Sequence, residues 1–124
     1  MDYEGLLSDF RNMPDGSAVI LHACAHNPSG VDPTKDQWRE ILTVFQEKGL
    51  LPWFDNAYQG FVSGDPAEDA FAVRLFVASG LETIVACSFA KNFGVRQSIP
   101  SFWHIHHISF LTYTFTTCLL LAIW

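Results

Sequence analysis

Charged residues are missing from the end of this 124-residue chain. All twenty Asp, Glu, Lys and Arg residues lie at or before Arg96, and none occurs from Gln97 to Trp124. Basic residues are also few, with seven Lys and Arg against thirteen Asp and Glu. Because nucleic acids bind to clustered positive charge, this acidic balance argues against a nucleic-acid partner. The loss of charge near residue 96 indicates two segments of different composition.

Cysteine is scarce, and its positions do not form a metal-binding pattern. The chain has three cysteines, Cys24, Cys87 and Cys118. An odd number of widely spaced cysteines is typical of reduced thiols in an intracellular protein rather than of a disulfide framework. Three histidines lie close together near the end, but no carboxylate or paired cysteine accompanies them, so we predict no metal site. These histidines are His104, His106 and His107.

The first residues lack the features of a secretory signal peptide. The chain starts Met1-Asp2-Tyr3-Glu4, which is acidic, and no apolar run follows. A signal peptide would begin with positive charge and continue into an apolar stretch, so we expect no secretory leader here.

Helical and strand patterns alternate along the chain before residue 96. Apolar residues at helical spacing predict helices, and short uncharged apolar runs predict buried strands. In the order helix, strand, helix, strand, helix, strand, the predicted elements are residues 2–13, 17–23, 34–48, 50–54, 65–80 and 83–87. Such alternation indicates an α/β fold with a parallel sheet, flanking helices and right-handed crossovers.

Polar side chains follow each predicted strand. Asn27 comes after the first strand, Asp55 and Tyr58 after the second, and Ser88 and Lys91 after the third. In open parallel sheets ligands bind beyond the carboxyl ends of the strands, so we expect these five residues to share one site. The alternative is that Asp55 caps a helix, Tyr58 packs in the core and Lys91 lies in a surface loop.

A carboxylate, a phenol, an amide, a hydroxyl and an amine suit an aromatic cofactor with a ring nitrogen, a ring oxygen, an aldehyde and a phosphate. Asp55 would keep the ring nitrogen protonated, and Tyr58 and Asn27 would hydrogen-bond the ring oxygen. Ser88 would donate to the phosphate. Lys91, in an uncharged and largely apolar setting, would attach to the aldehyde and then move the α-proton of the substrate.

Four stretches of the sequence carry a resemblance to a known family. They are His22-Ala23-Cys24-Ala25-His26-Asn27-Pro28-Ser29-Gly30, Phe54-Asp55-Asn56-Ala57-Tyr58-Gln59-Gly60-Phe61, Asp69-Ala70-Phe71-Ala72-Val73-Arg74 and Ser88-Phe89-Ala90-Lys91-Asn92-Phe93-Gly94. With these motifs the chain resembles the fold-type I, pyridoxal-phosphate-dependent aminotransferases, and within them the aspartate aminotransferase group. The resemblance spans about residues 5–95.

The resemblance implies a fold, a cofactor and a reaction. It implies a partial large domain over residues 1–95 that binds pyridoxal 5'-phosphate through the five residues named above, and a cis bond between Asn27 and Pro28. The implied reaction transfers an amino group between an amino acid of the L-aspartate type and a 2-oxo acid of the 2-oxoglutarate type. Family members are homodimers of the cytoplasm or mitochondrion, so we expect an intracellular protein.

The chain departs from the family pattern after about Val95. The family has an arginine for the cofactor phosphate eight residues after the lysine, where this chain has Ile99; Arg96 stands five residues after Lys91. No other arginine matches a substrate-carboxylate position; the rest, Arg11, Arg39 and Arg74, fall in predicted helices. Because carboxylate recognition depends on placed arginines, we expect a fragment that is inactive alone.

The apolar tail, residues 96–124, lies outside the family pattern and permits several interpretations. The uncharged run Ile108–Trp124 would span about 26 Å as a helix, slightly less than the roughly 30 Å of a hydrocarbon core. A membrane anchor is one interpretation; an out-of-frame or intron-derived tail is favoured, because charge is lost where the family pattern stops. We expect no membrane partner.

Two further alternatives concern function. The chain could be a non-catalytic truncated product or interaction fragment, since part of a sheet leaves an unpaired edge and an uncovered face. Ser88 and Lys91 also fit the Ser-x-x-Lys pattern of penicillin-recognising acyl enzymes. That class requires a companion Lys-Thr-Gly motif, which this sequence lacks.

Overall fold

Helices and strands alternate along the chain as the apolar spacing predicts. A computed structural model describes residues 1–87 and the backbone of Trp103–His106. The elements are α1 (Tyr3–Asn12), β1 (Ala18–His22), α2 (Lys35–Lys48), β2 (Leu51–Asn56), α3 (Pro66–Asp69), α4 (Phe71–Ala78), β3 (Thr83–Cys87) and β4 (Trp103–His106). The six predicted elements are therefore confirmed in type and order.

Local capping residues determine where the two longer helices begin and end. At the start of α1, the Asp2 carboxylate accepts the Gly5 N–H at 2.9 Å. At the start of α2, Thr34 and Gln37 form a reciprocal capping box that satisfies two free backbone N–H groups. Gly49 ends α2 with a left-handed φ of 59°, which glycine adopts without steric cost.

The four strands form one sheet in the order β1-β2-β3-β4. The first two pairs are parallel, which confirms the predicted parallel sheet. The pair of β3 and β4 is antiparallel, a feature that the sequence analysis did not predict. An apolar run gives no information on strand direction, so the tail residues of β4 could not be assigned to this edge in advance.

The core lies between one face of the sheet and the helices. Alternate strand residues such as Val19, Leu21 and Phe54 point to this face and pack against α1, α2 and α4. Both parallel crossovers are made in the same direction across the sheet, so right-handed connections place their helices on one side. Ile20 points to the other face and is 69% exposed.

Two elements differ from the predictions by more than one residue at an end. The predicted helix over residues 65–80 is two helices, α3 and α4, separated at Ala70, whose backbone has φ −87° and ψ 13°. Strand β2 continues beyond the predicted end at Phe54 and includes Asp55 and Asn56. Within the part of the chain that the structure describes, no helix combines the length and apolarity needed to cross a bilayer.

Candidate functional site

The carboxyl ends of the three parallel strands meet at one edge of the sheet. His22, the last residue of β1, pairs with Asp55 of β2, and Asn56 pairs with Cys87, the last residue of β3. Neighbouring strands are about 4.8 Å apart, so groups that follow these positions start close to one another. The edge predicted to carry the site therefore exists in the fold.

The loop after β1 carries Asn27 and is held by two acceptors. The Asp32 carboxylate accepts the backbone N–H of Ala25 at 2.7 Å and that of His26 at 2.8 Å. His22 Nδ1 accepts the backbone N–H of Asn27 at 3.0 Å. These contacts bring the exposed Asn27 beside the strand end that pairs with Asp55.

The peptide bond between Asn27 and Pro28 is cis, which confirms the expectation carried from the family resemblance. The residue pattern alone did not predict the cis bond, because a following proline only disfavours the helical backbone conformation at Asn27. Ser29 hydroxyl lies 2.6 Å from His26 Nδ1, so the turn is also tied by side chains.

Asp55 and Tyr58 lie at the end of β2 and in the turn that follows it. Both side chains are half-buried. Asp55 Oδ1 accepts the backbone N–H of Ala57 at 3.2 Å, and among residues 1–87 this is the one hydrogen bond to its carboxylate. An ionised carboxylate can accept about four hydrogen bonds, so the described residues use only part of its acceptor capacity.

The carboxylate of Asp55 also acts on the last residue of β3. Burial raises the pKa of the Cys87 thiol, the negative charge of Asp55 raises it further, and a hydrogen bond with Asn56 lowers it. The effect of Asp55 on Cys87 indicates that its charge is felt at the strand end from which the chain continues to Ser88. Ser88 and Lys91 themselves lie outside the described residues.

Asp69 anchors the loop that follows Tyr58, a role that the sequence analysis, which names Asp69 only as part of a family motif, did not predict. Its side chain is 6% exposed and accepts three backbone N–H groups from the loop that follows Tyr58, those of Gly60, Val62 and Ser63. Burial by itself raises the pKa of the Asp69 carboxyl, but the hydrogen bonds from Ser63, Val62 and Gly60 hold it below its ordinary value. Only the path of the loop reveals this contact.

The described arginines lie in helices, as predicted. Arg11 lies 3.8 Å from Glu40, and Arg39 pairs with Asp36 one turn away. Arg74 Nη1 donates to the carbonyl of Ala67 at 3.5 Å. These partners belong to the helical layer. Among the described residues, no group of three His, Cys, Asp or Glu side chains could hold a metal ion.

Comparison with known proteins gives the family of the chain. The family model described as "Aminotransferase class I and II" matches residues 1–97. The chain belongs to this family.

Members of this aminotransferase family are similar to the chain in both sequence and fold. Aspartate aminotransferase P2 of mitochondria from Lupinus angustifolius is 56% identical over 95 residues, which are 77% of this chain and 21% of the relative. A crystal structure of aspartate aminotransferase from Trypanosoma cruzi has a TM-score of 0.75 and 53% identity, and the match covers 77% of this chain and 24% of that one.

A further aminotransferase structure bears on the cofactor. The aromatic-amino-acid aminotransferase from Burkholderia pseudomallei, covalently bound to pyridoxal phosphate, has a TM-score of 0.73 and 41% identity, with coverage of 76% of this chain and 23% of that one. The class I and II family is pyridoxal-phosphate-dependent. The chain spans about a fifth of the length of the curated aminotransferases it matches.

Proposed function

We propose that residues 1–95 form part of the pyridoxal phosphate site of an aspartate-type aminotransferase. The reaction is reversible amino transfer between an amino acid of the L-aspartate type and a 2-oxo acid of the 2-oxoglutarate type. The observation that carries the proposal is the position of the Asn27 loop. His22 binds the backbone of Asn27 and pairs with Asp55, so an amide and a carboxylate start from neighbouring strand ends.

The donor and acceptor groups at this edge fit pyridoxal phosphate. Asp55 is a carboxylate with acceptor capacity left, which suits a protonated ring nitrogen through a charge-assisted hydrogen bond. Asn27 and Tyr58 supply an amide and a phenol, the donors that a negatively charged ring oxygen requires. When bound, pyridoxal phosphate supplies an aldehyde for covalent attachment and a ring that withdraws electrons from the α-carbon of the substrate.

Each residue has one task in this proposal. Asp55 keeps the proton on the ring nitrogen, and Tyr58 with Asn27 orients the ring from its oxygen side. Ser88 binds the phosphate by donating its hydroxyl proton. Lys91 would hold the cofactor covalently through its amine, and the same amine would serve as the base that moves the α-proton of the substrate.

We propose that the 124-residue chain by itself binds the cofactor but does not turn over. Ile99 stands where the family pattern has the phosphate-binding arginine. Arg11, Arg39 and Arg74 have partners in the helical layer and are not placed to read a dicarboxylate. Both carboxylates of an aspartate-type substrate require such partners, so productive orientation is lost. We also propose that the cofactor-binding domain covers residues 1–95 and that residues 96–124 lie outside the family pattern.

Covalent trapping tests the proposal. The protein is incubated with pyridoxal phosphate, reduced with borohydride and digested, and the modified lysines are located by mass spectrometry. The chain contains three lysines, and two of them serve as internal controls because Lys35 pairs with Glu68 and Lys48 pairs with Asp15. We expect the adduct on Lys91, and none after Lys91→Ala. Equal labelling of all three lysines, or none on Lys91 in a folded sample, contradicts the proposal.

A second candidate function is non-catalytic association with another aminotransferase subunit. It is favoured by β1, which is an edge strand of the sheet that the structure describes, and by Ile20, which is 69% exposed on the face that the described helices leave uncovered. An exposed edge pairs readily with another chain. Light scattering coupled to size-exclusion chromatography tests this: a monomer that stays monomeric with a full-length aminotransferase contradicts association.

The compartment is also part of the proposal. The curated relatives include mitochondrial, cytoplasmic and chloroplastic aspartate aminotransferases. We propose that this protein acts inside the cell, in the cytoplasm or the mitochondrion. Fluorescent tagging at the C-terminus, with mitochondrial and cytoplasmic markers, decides between the two.

A further inference from the structure

The loop after β2, which carries Tyr58, has no helix or strand of its own until Pro66. Such a loop keeps one conformation only if other groups satisfy its backbone. The Asp69 carboxylate does this over three residues: its Oδ2 accepts the N–H of Gly60 at 2.8 Å and of Val62 at 3.0 Å, and its Oδ1 accepts the N–H of Ser63 at 3.1 Å. Asp69 therefore shapes the loop over 60–63.

This loop is connected directly to Tyr58. The N–H of Phe61, which lies between two of the amides bound by Asp69, donates to the Tyr58 carbonyl at 3.0 Å. Gln59, the residue that follows Tyr58, accepts from Asn56 Nδ2 at 2.6 Å and donates to the Pro66 carbonyl at 2.9 Å. The backbone around Tyr58 is thus fixed by β2, by the start of α3 and by Asp69.

The Asp69 carboxylate has no cation as a partner within residues 1–87. Its charge is balanced by backbone N–H groups, whose hydrogen bonds to an ionised acceptor are stronger than those to a neutral one. Replacing the carboxylate by an amide of the same shape keeps the volume but turns one acceptor into a donor that faces an N–H group. The loop then loses at least one hydrogen bond, so the anchor depends on charge and not on packing.

A second carboxylate holds the other site loop in the same way. Asp32 accepts the N–H groups of Ala25 and His26, in the loop that carries Asn27. Asp32 and Asp69 line one cavity of about 160 Å³, together with Cys24. Both carboxylates therefore border the same cavity, and each holds a different loop.

We infer that Asp69 is a positioning residue for the proposed cofactor site: its carboxylate builds the loop that presents the Tyr58 phenol to the ring oxygen. The inference rests on the proposed function for the role of Tyr58. Asp69 does not touch the cofactor, and it acts through the backbone of residues 60–63. Loss of its charge should free the loop and weaken the contribution of Tyr58 without unfolding the sheet.

Hydrogen–deuterium exchange of the 124-residue protein tests the loop without any cofactor. We expect Asp69→Asn to speed exchange of a peptide covering residues 57–65 by about tenfold, because local opening becomes easier. Exchange in α2 and β1 should stay unchanged. The matched control is Asp65→Asn, which removes the same charge four residues away but keeps a side chain that can cap α3. Unchanged exchange over residues 57–65 in Asp69→Asn overturns the inference.

The second arm measures the effect on the bound cofactor. Tyr58→Phe should move the pH midpoint of the visible absorbance of protein-bound pyridoxal phosphate, because it removes a donor to the ring oxygen. Asp69→Asn should move the midpoint in the same direction by a smaller amount, and Asp65→Asn should not move it. If Asp69→Asn speeds hydrogen exchange over residues 57–65 but leaves the pH midpoint of the absorbance at the wild-type value, Asp69 has no positioning role for Tyr58.

The two arms separate the inference from the proposed function. If the wild-type protein forms no Lys91 adduct, the proposed function fails and the inference fails with it; if wild type and Asp69→Asn behave alike with cofactor, only the inference fails. If Asp69→Asn does not fold, amide NMR of the wild type replaces it. The amides of Gly60, Val62 and Ser63 should then shift together as acid protonates their shared acceptor, and independent shifts overturn the inference.

Discussion

His22 and Asp55 pair directly across β1 and β2 at the carboxyl end of the sheet. His22 also accepts the backbone N–H of Asn27 at 3.0 Å, so one residue connects the loop of Asn27 to the strand of Asp55. Two groups that are far apart in sequence are therefore brought to one edge by a single strand register. A slip of the register by one residue would turn Asp55 to the helical face, away from the proposed site.

Asp55→Ala should weaken the binding of pyridoxal phosphate by about tenfold to a hundredfold. A hydrogen bond between a carboxylate and a charged ring nitrogen contributes about 1.5–3 kcal/mol, and alanine removes it. The quenching of tryptophan fluorescence by added cofactor measures the dissociation constant. Asp36→Ala is the control, because this exposed carboxylate pairs with Arg39 of its own helix and, within residues 1–87, forms no other ion pair. Equal affinities for the two variants would refute the role of Asp55.

The stability of the protein should fall in acid partly because of Asp69. Hydrogen bonds from the loop lower the pKa of Asp69 in the folded protein below 3.8. The unfolded chain takes up the proton first, so the stabilisation is complete above the unfolded pKa and is lost as the pH falls through the folded pKa. Urea unfolding at several pH values should give a smaller acid-dependent loss for Asp69→Asn than for wild type. Parallel curves would count against this account.

Phe76→Ala should destabilise the protein by about 3–5 kcal/mol, because it leaves a large cavity in the core. Phe76 is fully buried, and its ring meets those of Phe45 and Phe54 edge to face at 5.3 Å and 5.2 Å between centroids. Phe61→Ala makes the same chemical change at a side chain that is 61% exposed. We expect that control to change the free energy of unfolding by less than about 0.5 kcal/mol in urea. Similar losses for both variants would show that the core lies elsewhere.

Cys24 should react slowly with thiol reagents. Burial, followed by the charges of Asp69 and Asp32, raises the pKa of the Cys24 thiol to about 11. The thiolate is the reactive form, so raising the pKa from 9.0 reduces its population at neutral pH by about a hundredfold. The neutral thiol favours the fold below pH 9, and this contribution is lost as the pH rises toward 11. Alkylation at pH 8, located by mass spectrometry and compared with alkylation in urea, measures the protection; equal rates in both conditions would contradict it.

The sequence predicted the elements that depend on local patterns. The apolar stripe of α2 with Thr34 and Gly49 at its ends, and the uncharged run of β2, are read from neighbouring residues alone. Alternation of such elements then indicates a parallel sheet, and the carboxyl ends of its strands indicate where Asn27, Asp55 and Tyr58 lie. For this reason the order of the fold and the site edge could be anticipated.

Contacts between distant parts of the chain were not predictable in this way. The antiparallel direction of β4 depends on the path of the chain after β3, which an apolar run does not specify. In the sequence, Asp69 resembles any acidic residue in the first turn of a helix. In the structure it is buried, because the loop after Tyr58 folds back over it. The division of the predicted helix at Ala70 likewise has no local signal.

The amino-acid sequence by itself determined the α/β order and the kinds of side chain that lie near the carboxyl ends of the strands, because helix and strand periods act over a few residues. The tertiary structure alone decided that Asp32 and Asp69 anchor the two loops, that His22 connects Asn27 to Asp55, and that the helices cover one face of the sheet. These features depend on side chains that accept backbone N–H groups elsewhere in the chain, and on packing between elements, and both exist only once the chain has folded.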